Sequence, residues 1–167
     1  MERSSLSTEL FNIAHLLAEA LDAVAAECNI FLKKFPQNLS FDTDLKMEDT
    51  ADLITAYYLQ TAAICRIVEQ KAEPLLVSVS EFMRAVDQRM QSDLVVQSDM
   101  LLERFLEFRT ALNEYLRKNN EILQPGIKTI DPTEIKKDTR ALVHRTHTLA
   151  AYLQSFTECP NGKRNHL

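Results

Sequence analysis

Glycine occurs at only two positions in this 167-residue chain, Gly126 and Gly162. A chain of this length with ordinary usage carries about a dozen. Glycine supplies the positive φ of tight turns and lets the backbone approach a phosphate or cofactor closely. Its scarcity excludes Rossmann turns, P-loops, nucleophile elbows and most two-residue hairpins together. Both glycines also follow a helix stop, in Pro125-Gly126 and Pro160-Asn161-Gly162. Such a chain can build long helices joined by a few short connections, and the expected class is all-α.

Apolar residues recur at the helical period, which predicts an antiparallel, left-handed bundle of four or five long helices. The first covers about 7–34. Leu10, Ile13, Leu17, Leu21, Val24, Cys28, Phe31 and Phe35 fall on one stripe, and Pro36 ends it. Residues 37–47 have no helical period and form an acidic loop, with Leu39 and Phe41 resting on the bundle. A second helix, about 48–72, opens with Glu48, Asp49 and Asp52 where they complement the helix dipole. It carries Ile54, Tyr57, Thr61, Ile64 and Val68 inward.

Pro74 is expected to start a third helix, about 74–91, because a helix running through proline loses a hydrogen bond. From Leu75 to Leu123 there is neither proline nor glycine. One apolar phase (Leu75, Val79, Phe82, Val86) gives way to another (Leu94, Leu101, Phe108, Tyr115, seven apart). A single helix here would span about 75 Å against about 40 Å for its neighbours. A compact bundle buries more, so a break at Gln91-Ser92-Asp93 is favoured, with a fourth helix over about 93–123. Asp131-Pro132-Thr133-Glu134 then supplies a cap, a first-position proline and a glutamate for the last helix, about 132–158. Ile135, Leu142, Leu149 and Phe156 lie seven apart along it. The expected division is one bundle domain over 1–160 and a flexible basic tail over 161–167.

The net charge of -5 and pI near 5.4 speak against nucleic acid as a partner, since phosphates need a basic face. No apolar run approaches the roughly 20 residues of a membrane span. Met1-Glu2-Arg3-Ser4-Ser5 leads straight into an amphipathic segment without an apolar signal core. Cys28, Cys65 and Cys159 are an odd and sparse set. These features predict an intracellular, cytoplasmic protein in a reducing compartment.

The motifs that would carry chemistry are weak, and no catalytic, cofactor or metal residue is assigned. His144 and His147 are three apart but have no carboxylate or cysteine within a turn, and Arg140 and Arg145 beside them would repel a cation. No histidine has a glutamate three residues before it, as a di-iron bundle requires. Asp42-x-Asp44 resembles a calcium loop only until Lys46 and Met47 replace a needed oxygen ligand and glycine. Cys28 and Cys65 read as small core residues. Catalytic groups usually ride on loops, and this chain has few, so enzyme activity is not expected.

Two surfaces read instead as candidate contacts. Beside its main stripe the fourth helix carries Val95, Leu102, Leu106 and Leu116, more apolar surface than one seam requires. Leu102, Leu106 and Leu116 are therefore assigned to a partner-binding face. The last helix carries Lys136, Lys137, Arg140, His144 and Arg145, a local basic face suited to an acidic partner or, more weakly, an anionic membrane surface. Thr139 and Thr146 fall in that helix's seam where leucine would pack better, so replacing both is expected to raise stability.

The expected function is a non-enzymatic protein-interaction module: an adaptor, scaffold or complex subunit that binds helical or amphipathic segments of other proteins, with homodimers also allowed. The alternative is a carrier of a lipid or other apolar ligand within the bundle. A third expectation is a four-helix, cytokine-like signal, against which the cysteine count and the N-terminus speak.

Overall fold

The computed structural model describes residues 2–35, 47–86, 92–123 and 132–156. The expectations for Leu39, Phe41, Asp42, Asp44, Lys46, both glycines, Asp131, Cys159 and the basic tail lie outside these residues. Helix α1 runs Glu2–Leu32 and α2 runs Met47–Ile67. A π-helical turn, Val68–Ala72, joins α2 to α3, Glu73–Ala85. Helix α4 is Ser92–Lys118, followed by a 3₁₀ turn at Asn120–Leu123, and α5 is Pro132–Gln154. Among the described residues there is no strand.

Four rods result, because the chain does not turn at Pro74. The Glu73 N–H reaches back five residues to the Val68 carbonyl, so the hydrogen-bond ladder widens just before the proline. Pro74 then occupies the first turn of α3, where its missing N–H is best tolerated. The sequence-based cost of running through proline is thus met by a local change of helix type, and α2 and α3 form one rod.

The break after α3 is real and comes earlier than expected. Val86 is extended (φ -81, ψ 132) and closes the helix at Ala85, not near residue 91. Helix α1 begins at Glu2, five residues before the expected start, and α4 and α5 end at Lys118 and Gln154 rather than at 123 and 158.

Side-chain pairs fix the topology. Phe31 meets Tyr57 with ring centroids 5.6 Å apart, while Leu16 and Ala20 share a hollow with Lys71 and Pro74. Arg109 pairs with Glu73, Lys118 with Glu134 at 3.0 Å, and His15 Nε2 with the Phe156 carbonyl at 3.1 Å. Phe31 with Tyr57, Lys118 with Glu134 and Phe156 with His15 each bring the end of one rod to the first half of another, while Glu73 with Arg109 joins the middle stretches of α2–α3 and α4. The rods therefore run up-down-up-down in the cyclic order α1, α2–α3, α4, α5.

The apolar stripes meet in one core. Leu10, Leu17, Leu21 and Val24 from α1 join Ile64, Val79, Phe82, Leu101, Phe105 and Leu142, all nearly inaccessible to solvent. Phe35, Phe31, Tyr57 and Tyr115 stack as an aromatic ladder, with centroids 5.2, 5.6 and 6.0 Å apart. Cys28 belongs to this core, and burial pushes its thiol up to about 12. Cys65 does not: it is exposed on α2, contrary to its place beside the stripe. Where α1 faces α5, on the edge marked by His15 and Asp22, the buried residues are Ala14, Ala18 and Ala25. Opposite them α5 presents Thr146 and Ala150, so these two backbones can approach closely.

Candidate partner-binding surfaces

The two sides of α5 carry different residues because its apolar stripe is only one face wide. Ile135, Leu142, Leu149 and Leu153 point inward. Lys137, Arg140, His144 and His147 are exposed on the outer face, and Arg145 is exposed toward α4. Lys136 is half-buried and lies 5.9 Å from the Phe35 ring, which draws it to the α1 side. The structure thus places Lys137, Arg140 and His144 together, with Arg145 and Lys136 on opposite flanks. Among the described residues no three His, Cys, Asp or Glu side chains converge to hold a metal.

Between α4 and α5 lies a groove of about 460 Å³. Phe108, Leu149 and Tyr152 line it below, while Arg104, Glu107 and Arg145 stand exposed at its edges. The Arg104 guanidinium sits 4.5 Å from the centre of the Tyr152 ring. A second hollow of about 200 Å³ shares Ala141 and Arg145 with the first and runs on to Lys118 and Asp138. There Lys118 Nζ bonds Glu134 and Asp138, each at 3.0 Å, which closes the far end. Those two carboxylates raise the Lys118 ammonium above its ordinary range, led by the hydrogen bond to Glu134.

The α4 leucines divide. Leu102 and Leu116 are half-buried against the core, whereas Leu106 is 64% exposed. The Glu73–Arg109 pair sets the register of α3 against α4, and one turn from it Val77, 58% exposed, stands level with Leu106. Leu76 and Val95 are half-buried nearby on the same flanks. Exposed Val77 and Leu106 thus stand level on the two flanks of the outer α3/α4 seam, and Leu106 shares a hollow on α4 with Val96, Met100 and Leu102.

A buried polar thread sets the spacing of the rods beneath both surfaces. Thr139 donates its hydroxyl proton to the Ile135 carbonyl at 2.8 Å. Its oxygen is then the acceptor for Tyr115 Oη at 2.8 Å, and Tyr115 in turn accepts from Gln60 Nε2 at 2.9 Å. Burial raises the Tyr115 and Tyr57 hydroxyls well above the ordinary tyrosine range. Thr146 likewise donates to the Leu142 carbonyl at 2.7 Å. The seam threonines are therefore satisfied in place, and Thr139 ties α5 to α4 and α2. The expectation that leucine would pack better there is corrected, since leucine at 139 would strand Tyr115 in a dry core.

Sequence reasoning missed Arg104, Phe108 and Tyr152 as lining of one groove. Phe108 lies on the core stripe and Arg104 and Tyr152 beside it, and which of them meet depends on the register of α4 against α5. Comparison with protein-family models, with curated proteins and with solved structures returned no match to this chain.

Proposed function

We propose that the chain is a non-enzymatic protein-interaction module, an adaptor or subunit of a larger intracellular assembly, that presents helix faces to helical or amphipathic segments of other proteins. The observation that carries this is the outer α3/α4 seam. Val77 and Leu106 project into solvent above half-buried Leu76, Leu102 and Val95. One exposed leucine means little, but several exposed and half-buried apolar residues along one seam of a bundle are what a partner helix covers. Leu116 extends the contact set along α4, and the basic face of α5 provides a second contact for acidic partners. The free thiols of Cys28 and Cys65 fit a reducing compartment. The hollows between α4 and α5 and between α1 and α3 lie at the surface, edged by exposed side chains, a shape suited to a docked segment more than to an enclosed apolar ligand.

The test is quantitative affinity purification from native cells of the wild-type chain and of the Val77→Asp/Leu106→Asp variant. Because both side chains are exposed, helix content is expected to be unchanged while stoichiometric partners are lost. An unchanged partner set with an intact fold would contradict the proposal.

A further inference from the structure

The groove between α4 and α5 has a chemistry that the α3/α4 seam lacks: an apolar floor with uncommitted cations on its edges. Arg145 has no ion-pair partner among the described residues, and Arg104 rests on the Tyr152 ring rather than on a carboxylate. The carboxylates nearby are mostly engaged: Glu114 with Arg117, and Asp138 with Lys118. Glu107 alone is left to oppose the two guanidiniums, on a chain whose net charge is -5. Exposed Lys137 and Arg140 extend the positive potential outward along α5.

From this geometry we infer that the α4/α5 groove docks an acidic amphipathic helix of a partner protein. The inference rests on the interaction-module proposal and adds the partner's chemistry to it. From Arg104 to Lys118 the groove follows α4 for roughly 21 Å, the length of a helix of about 14 residues. Two antiparallel helices with a furrow between them accept a further helix by ridge-and-groove packing. Its apolar residues would lie over Phe108, Leu149 and Tyr152, and its acidic flanks would meet Arg104 and Arg145. Arg104 is already held over the Tyr152 ring, so less freedom is lost when it takes a carboxylate. The Lys118 bridge to Glu134 and Asp138 sets the end of the footprint.

The test is selection of random peptides of about 16 residues, long enough for the footprint, on the folded full chain. Binders are expected to carry Asp and Glu flanking large apolar residues at helical spacing. Arg104→Glu with Arg145→Glu should weaken them by about tenfold or more, and Glu107→Gln should strengthen them by about two- to fivefold. Both arginines are exposed, so the melting temperature should hold. Basic or uncharged binders, or affinities indifferent to the charge reversal, would overturn the inference. Binders lost on Leu106→Asp but not on the arginine reversal would leave the interaction module standing and remove this site. Binding to phosphatidylserine vesicles with no peptide selected would also overturn it. No binders and no native partners would remove both proposals together.

Discussion

Helix α5 has two flanks, and they are built to opposite ends. Toward α1 it presents Thr146 and Ala150 to Ala14, Ala18 and Ala25, all buried. Toward α4 it presents Arg145, Thr148 and Tyr152 to Arg104 and Glu107, and a groove remains. Side-chain size decides the difference. Residues with at most a methyl and a hydroxyl beyond Cβ let two backbones close and expel water. Long charged and aromatic side chains hold the backbones apart and turn their polar ends outward. One helix thus closes tightly on one flank and leaves an open groove on the other.

The largest expected effect comes from enlarging one alanine on each flank. Ala18→Leu should cost about 1–3 kcal/mol, because the seam has no room for three more carbons. Ala141→Leu, in the groove, should change stability by less than about 0.5 kcal/mol. Urea midpoints for the two variants measure this directly, and equal costs would break the comparison.

Removing a hydroxyl sharpens it. Thr139→Val should cost about 1–3 kcal/mol, since the Tyr115 hydroxyl loses its acceptor in a dry layer. The exposed Thr148 hydroxyl bonds only the His144 carbonyl of its own helix, so Thr148→Val should lie within about 0.5 kcal/mol of wild type. This also reverses the effect expected at position 139 from spacing alone.

Alkaline pH probes the closed interior without mutation. Cys28, Tyr57 and Tyr115 all have ionisations raised by burial. The folded state therefore holds their protons more tightly than the unfolded state does. Their contribution is complete below the unfolded values, near 9 for the thiol and 10 for the phenols, and declines as pH rises through the interval up to the folded values. The expected fall is at most about 1.4 kcal/mol per pH unit for each ionising group. Urea titrations at neutral and alkaline pH read it, and Cys28→Ala should remove the earliest part of the decline. The smallest effect belongs to the ion pairs at the closed end of the groove. Lys118 is exposed, so Lys118→Met should leave the urea midpoint within error.

Much of the fold was legible in the sequence, for reasons visible in particular residues. Every residue from Leu10 to Phe35 on the first stripe is buried, as are Leu94, Leu101, Phe108 and Tyr115 seven apart. Periodicity reports which face of a helix turns inward, and that is a local property. It failed where neighbours decide. Pro74 suggested a new helix, but a widened turn ahead of it let the rod continue. Cys65 lay beside an apolar stripe and proved exposed. Thr139 looked like a flaw in its seam because its partner, Tyr115, is 24 residues away. The candidate surfaces were half legible. The basic face of α5 follows from composition, but the groove beside it exists only once α4 is in register.

The most direct test of the two-flank account is an amide nitrogen–proton spectrum of the full chain titrated with an acidic amphipathic peptide selected on it. The account predicts shifts concentrated at Ala141, Arg145, Thr148 and Tyr152, with the amides of Ala14, Ala18, Thr139 and Thr146 unmoved. Shifts that instead spread through the α1/α5 seam, or that cluster at Val77 and Leu106, would contradict it.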